Sequence, residues 1–149
     1  MKQHRNNMNE SIAKNTRGCP EPEANHPSAP RILCADDEQA ICACYFGALL
    51  HSGYSVTTVA NGKLAWEALE NETFDLLITD NQMPCLTGEE LVLKVRQHGL
   101  KLPIIFASSQ LDVFLDPANE WLQVDQLLQR PFSLPKLINT VERVLHRHH

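Results

Sequence analysis

Short strand-like runs, each followed by a segment with helical spacing, constrain the fold of this chain more than any other feature. From Arg31 onward, five such runs occur: Ile32–Ala35, Ser55–Val59, Phe74–Thr79, Pro103–Ala107 and Gln126–Gln129. Alternation of short strands with helices is typical of βαβ units, whose strands lie parallel in one sheet. The pattern therefore predicts an α/β fold, a doubly wound sheet of five parallel strands.

The helical segments between these runs differ in strength. The clearest is the last, where Leu134, Leu137, Ile138, Val141, Val144 and Leu145 recur at helical spacing after a capping Ser133. The weakest lies between the fourth and fifth runs, where Pro117 interrupts the pattern. We expect a shortened or irregular helix there, beginning near Pro117 and carrying Trp121 and Leu122.

Residues 1–30 differ from the rest of the 149-residue chain. They are polar, contain four prolines and show neither helical nor strand periodicity. Such a segment buries too little apolar surface to fold, so we expect a disordered N-terminal leader over 1–30 and one folded domain over 31–147. No further domain is expected after the last helix.

Four of the five predicted strands end in a polar side chain with useful chemistry. Asp36 and Asp37 follow the first run, Asp80 the third, Ser108 the fourth and Arg130 the fifth. Right-handed crossovers bring these ends to one edge of a parallel sheet, where open α/β folds bind ligands. We therefore expect the five side chains to share one site.

Three carboxylates at one edge concentrate too much negative charge to be stable without a cation. Oxygen ligands of this kind suit Mg²⁺. Asp80 can serve as a metal ligand and as a nucleophile, and Ser108 can serve as a hydroxyl donor. The planar guanidinium of Arg130 can donate two hydrogen bonds to phosphoryl oxygens. These are the parts that phosphoryl transfer needs. Singly, the acidic residues could cap a helix or a turn, but their joint placement at strand ends favours a site.

Composition excludes several classes of protein. A formal net charge of -5 argues against a basic-patch nucleic-acid binder. No apolar stretch approaches the ~20 residues of a membrane span, and no apolar signal-peptide core is present at the N-terminus. We therefore expect a cytoplasmic protein with neither nucleic acid nor membrane as partner. The five cysteines lack C-x-x-C spacing, which favours reduced thiols over a zinc or redox site.

Taken together, the motifs resemble the receiver domain of two-component response regulators over about Arg31 to Leu145. The matching motifs are Asp36-Asp37, Thr79-Asp80-Asn81-Gln82-Met83-Pro84 with Gly88, Ile104-Ile105-Phe106-Ala107-Ser108, and Arg130-Pro131-Phe132. The resemblance implies a flavodoxin-like sheet of order 2-1-3-4-5. It also implies a cis peptide bond between Arg130 and Pro131.

The same resemblance implies a role for each site residue. Asp80 would accept a phosphoryl group from a histidine kinase or a histidine phosphotransfer protein. Asp37, Asp80 and the backbone carbonyl of Gln82 would bind Mg²⁺, with Asp36 helping through water. Ser108 would engage the phosphoryl oxygen on activation, and altered binding would pass the signal to an unknown downstream protein.

The chain departs from the family pattern at three places. Arg130 stands where the family usually has Lys, and Leu127 stands where it often has an aromatic switch residue. The segment 109–125 does not follow the usual helical pattern. We therefore expect the apolar loop 108–117 to carry any conformational shift, either by packing over the site or as a partner-binding patch.

Two other functions stay open at this point. A degenerate receiver would bind partners without phosphorylation. The arginine at position 130 and the irregular helix between the fourth and fifth runs suggest this possibility. A small aspartyl-phosphate phosphatase would use the same carboxylates. Such an enzyme is expected to have a second catalytic acid two residues after the nucleophile, where this chain has Gln82.

Overall fold

A computed structural model describes residues 29–120 and 122–148 of the chain. The expected leader over 1–30 lies outside these ranges apart from its last two residues. The strands are β1 Arg31–Ala35, β2 Ser55–Val59, β3 Leu76–Thr79, β4 Ile104–Ser108 and β5 Gln126–Gln129. The α-helices of the described ranges are α1 Gln39–His51, α2 Gly62–Asn71, α3 Gly88–Gln97 and α4 Leu134–Arg147.

All five strands are parallel and form one sheet in the order β2-β1-β3-β4-β5. The predicted flavodoxin-like order 2-1-3-4-5 is therefore confirmed. Strand boundaries agree with the prediction to within two residues, the largest difference being that β3 begins at Leu76 instead of Phe74.

The core lies on both faces of the sheet, because the three central strands are buried on each side. One cluster joins the sheet to α1 and α4 through side chains such as Leu49 and Val141. The other joins it to α2 and α3 through side chains such as Ala65 and Val92. Strand β2 is only partly buried, as expected for an edge strand. In the described ranges, no helix combines the length and apolarity that a membrane crossing requires.

Among the described residues between β4 and β5 there are two 3₁₀ turns, Asp112–Leu115 and Pro117–Asn119, and no α-helix. The predicted irregular element is confirmed, and it has a turn beginning at Pro117. The expectation that this element carries Leu122 is wrong, since the second turn ends at Asn119. Leu122 lies beyond the turn with a buried side chain, and its N–H donates to the Asn119 carbonyl at 2.9 Å. Trp121 lies outside the described residues.

Most of the apolar side chains in this connection pack against the sheet. Leu111, Val113 and Phe114 contact the cluster on the α2 and α3 face. The ring of Phe114 meets that of Phe106 on β4 edge-on, with centroids 4.8 Å apart. Only Leu115 among these residues is largely exposed, at 80%. Local packing therefore describes this loop better than an apolar surface patch, but the contacts are with the α2 and α3 face of the sheet, and packing over the site itself stays a prediction.

The loop after β3 is fixed where α3 begins. The Gly88 N–H donates to the carbonyl of Asn81 at 2.9 Å, which brings the start of α3 against the residue after Asp80. Thr87 and Glu90 form a reciprocal capping box at the same helix start. A Cβ atom at Gly88 would lie only 2.1 Å from the Asp80 carbonyl oxygen. This close approach requires glycine.

We predict that Gly88→Ala lowers the free energy of unfolding by about 1–3 kcal/mol, because the obstructing atom belongs to the backbone and cannot turn aside. Gly47→Ala is the matched control, since a Cβ there meets nothing within 4 Å inside α1. That control should be neutral or stabilising by up to about 1 kcal/mol, as alanine favours helices. Urea unfolding measures both. Equal stability of the two variants would contradict this account of the loop.

Candidate functional site

Three carboxylates meet at the carboxyl edge of the sheet. Asp36 and Asp37 follow β1, and Asp80 follows the neighbouring β3, where Ala35 pairs with Thr79. One carboxylate oxygen from each of the three lies within 4.8 Å of the others. Asp36 and Asp80 are buried and Asp37 is exposed. The expected acidic cluster is therefore present, with an oxygen-only donor set of the kind that binds Mg²⁺.

Asp80 is held by its own backbone and by that of its neighbour. Its N–H donates to the Ala35 carbonyl at 3.1 Å, and its Oδ1 accepts from the Asn81 N–H at 2.7 Å. Burial raises the pKa of the Asp80 carboxyl above its usual value, and the charge of Asp36 adds to this. Donation by Asn81, the Arg130 charge and the Ser108 hydroxyl act in the opposite direction without cancelling the rise. A nearby cation would favour the ionised form.

Arg130 enters the same site from the end of β5. Its N–H donates to the Ser108 carbonyl at 3.1 Å, and its peptide bond to Pro131 is cis, as predicted. In the guanidinium, Nη2 donates to Asp36 Oδ2, while Nη1 lies 3.6 Å from Asp80 Oδ2. Burial is the largest single effect on the pKa of Arg130 and lowers it, but the hydrogen bonds and charge interactions with Asp36 and Tyr45 together outweigh burial, so the net shift is upward. Arg130 is therefore a fixed cation between two carboxylates.

Asp36 and Asp37 have different surroundings. Both oxygens of Asp36 accept hydrogen bonds from protein donors, Oδ1 from the Glu38 N–H at 3.0 Å and Oδ2 from Arg130. Glu38 occupies the N-cap position of α1 without a side-chain capping bond. Asp37 is exposed to solvent. The two aspartates are therefore not equivalent as ligands, since only Asp37 presents a free carboxylate to solvent.

Ser108 and the loops after β3 and β4 close one side of the cluster. Ser108 is buried, and its Oγ accepts from the Gln110 N–H at 3.2 Å. The Gln110 side chain in turn accepts from Gln82 Nε2 at 2.8 Å. Gln82 thus lies in the loop after Asp80, as expected, with its side chain bonded across to the β4 loop. A metal-binding role for its backbone carbonyl stays a prediction.

The structure adds two residues that the sequence did not single out for the site. Tyr45 lies on α1, and its hydroxyl accepts from Arg130 Nη2 at 3.1 Å. Gln110 lies in the loop after β4, and its N–H donates to Ser108 Oγ. The sequence contains one indication of the Tyr45 contact, because a tyrosine on an otherwise aliphatic helix face needs a hydrogen-bond partner for its hydroxyl.

Known proteins share this combination of fold and acidic edge. The chain matches the response regulator receiver domain model over residues 32–142. The response regulator receiver protein CpdR from Brucella abortus is 36% identical over 115 residues, which cover 77% of this chain and 96% of CpdR. The chain spans only 49% and 24% of two longer curated relatives.

Solved structures agree with the sequence matches. The Francisella response regulator 1452 receiver domain has a TM-score of 0.74 at 26% identity, covering 80% of this chain and 99% of that one. The response regulator TrrA from Thermotoga maritima, in complex with Mg²⁺ and BeF, has a TM-score of 0.70 at 27% identity, covering 77% of this chain and 98% of TrrA. Fold and site define a signalling module of the two-component class. The chain belongs to the response regulator receiver domain family.

Membership of this family sets the general chemistry of the site. Receiver domains are signalling modules that histidine kinases or phosphotransfer proteins phosphorylate, and they bind Mg²⁺ at an acidic pocket. In this chain the acidic pocket consists of Asp36, Asp37 and Asp80.

We predict that Asp37→Ala weakens Mg²⁺ binding about tenfold or more, because a hard cation loses a charged oxygen ligand. Glu38→Ala is the matched control, since it removes the adjacent carboxylate, which lies outside the cluster. Titration with Mg²⁺ followed by NMR shifts or calorimetry compares the two variants. Asp37 would not be a ligand if both variants bound Mg²⁺ as tightly as the unmodified protein.

Proposed function

We propose that this protein accepts a phosphoryl group on Asp80 from a histidine kinase or histidine phosphotransfer protein, in an Mg²⁺-dependent reaction, and relays the signal by altered binding to a downstream protein. The observation that carries the proposal is the meeting of three carboxylates within 4.8 Å beside the Arg130 guanidinium. The receiver domain is proposed to span 31–147. A cytoplasmic location fits this role.

Asp80 has the position of a nucleophile. In the proposed transfer, a carboxylate oxygen of Asp80 attacks phosphorus while the phosphorus–nitrogen bond of phosphohistidine breaks. The histidine nitrogen keeps the electron pair and takes up a proton from water. Such a reaction depends mostly on positioning and electrostatic stabilisation, which fits a buried carboxylate beside a fixed cation. Arg130 Nη1 already faces Asp80 Oδ2 and is free to donate to a phosphoryl oxygen bound there.

The donor set fits Mg²⁺ as the cofactor. Asp37, Asp80 and the Gln82 carbonyl would hold the ion directly, while Asp36 would act through water. The double engagement of Asp36 by Glu38 and Arg130 supports this division, because it leaves Asp37 as the freer ligand. When bound, the ion would supply charge neutralisation for the carboxylates and the phosphoryl oxygens.

The proposed readout begins at Ser108. Its hydroxyl would donate to the phosphoryl group, and this would disturb the bond that Ser108 Oγ now accepts from the Gln110 N–H. Gln110 lies two residues before the first 3₁₀ turn, so a shift there would reach the exposed Leu115. Leu127 is partly buried against the same cluster as Phe114. A route through this loop therefore does not require an aromatic switch residue.

The two alternatives have weaker support. A phosphatase needs an acid close to the nucleophile, but Gln82 at the expected position bonds to Gln110. A scaffold that works without phosphorylation has no need of a complete carboxylate cluster with a cation beside it. Chemical phosphorylation separates the scaffold from the leading proposal. Turnover of a phosphorylated metabolite would separate the phosphatase, which would form the same aspartyl phosphate as an intermediate.

We predict that acetyl phosphate with Mg²⁺ adds one phosphoryl group to the protein and that Asp80→Asn abolishes the addition, because an amide keeps the shape but loses the nucleophile. Asp112→Asn is the control, since Asp112 is an exposed carboxylate in the first 3₁₀ turn. Intact-mass measurement reports the result. Labelling of Asp80→Asn at the unmodified level would contradict the assignment, whereas no labelling of any form would favour the scaffold.

A further inference from the structure

Tyr45 on α1 contacts the segment that carries Arg130 at two points. Its Oη accepts from Arg130 Nη2 at 3.1 Å. Its ring stacks on that of Phe132, with centroids 6.1 Å apart and an angle of 15° between the planes. Tyr45 is only 4% exposed, so both contacts lie in the interior. Tyr45 therefore connects the side chains of Arg130 and Phe132 to α1.

The Arg130 guanidinium is held from one end. Among the described residues the guanidinium makes two hydrogen bonds, to Asp36 and to Tyr45, and Nη2 donates both. Within the part of the chain that the structure describes, Nε is buried without a partner. Nη1 faces Asp80 Oδ2 at 3.6 Å, beyond hydrogen-bond distance. The rotation of the planar group therefore depends on two bonds at Nη2, and losing one would let the group pivot about the other.

We propose that Tyr45 is a positioning residue for phosphoryl transfer, because its hydroxyl fixes the rotation of the Arg130 guanidinium and so aims Nη1 at the phosphoryl group on Asp80. This inference rests on the proposed function of Asp80. The positioning role would also explain how an arginine can serve at position 130, where receiver domains usually have lysine. The planar guanidinium of arginine must be oriented before its N–H groups point at a phosphoryl oxygen. The ammonium of lysine is a compact charge that needs no such orientation.

The protonation state of Tyr45 agrees with this role. Burial raises the pKa of the Tyr45 hydroxyl to about 12, although the Arg130 charge acts in the opposite direction. The hydroxyl is therefore neutral at ordinary pH. It accepts from Nη2 without adding a further negative charge to a site that already has three carboxylates.

Tyr45→Phe tests the inference, because it removes the hydroxyl and keeps the ring that stacks on Phe132. The probe is beryllofluoride with Mg²⁺, a mimic of an aspartyl phosphate, titrated by NMR. We expect Tyr45→Phe to bind beryllofluoride about threefold to tenfold more weakly, the usual range for one lost hydrogen bond. The chain has two tyrosines. Tyr54→Phe is therefore the matched control, since Tyr54 packs on the same core cluster and should change affinity less than about twofold.

A second background separates positioning from general support of the fold. In Arg130→Lys, adding Tyr45→Phe should change the beryllofluoride affinity by less than about twofold, because an ammonium has no orientation to lose. A merely structural role would instead weaken binding by the same factor in both backgrounds. Equal factors would therefore overturn the inference, even if Tyr45→Phe alone weakened binding as expected.

The remaining outcomes are distinct for the two proposals. If the unmodified protein binds beryllofluoride and Tyr45→Phe binds it equally well, the positioning role fails and the function of Asp80 stands. If the unmodified protein binds no beryllofluoride with Mg²⁺, both proposals fail together.

Discussion

The close approach of Asp36 and Asp80, with Arg130 between them, is the interaction on which the site depends. Two buried carboxylates at the ends of neighbouring strands repel each other, and burial itself raises the pKa of Asp80. The guanidinium offsets part of this charge through a hydrogen bond to Asp36 and a 3.6 Å approach to Asp80. Asp37 adds a third carboxylate, exposed to solvent, so the three acidic residues outnumber the one arginine beside them.

The fold provides this arrangement through strand register. Pairing of Ala35 with Thr79 places the residues that follow β1 and β3 side by side, and the Asp80 N–H continues the ladder to Ala35. On the other side, the Arg130 N–H continues the β4 and β5 ladder to the Ser108 carbonyl. The close packing of Gly88 then holds the loop after Asp80 in place. The site is thus an extension of the sheet's backbone hydrogen bonding.

Sequence was sufficient for the features that follow from local pattern and topology. Five strand-like runs with helical segments between them predict the sheet, and right-handed crossovers predict that Asp36, Asp80 and Arg130 share one edge. The contact between Tyr45 and Arg130 could not be predicted, because it joins residues 85 positions apart and depends on side-chain reach. The periodicity also could not predict that the second 3₁₀ turn ends at Asn119, before Leu122.

Mapping the phosphorylated residue tests the central claim most directly. After labelling with acetyl phosphate and Mg²⁺, borohydride reduction converts an aspartyl phosphate to homoserine, which peptide mass spectrometry locates. The account predicts homoserine at position 80 alone, since that carboxylate is buried among Asp36, Asp37 and Arg130 at the end of β3. Homoserine at another aspartate, or at none, would contradict the assignment of Asp80 as the phosphoacceptor.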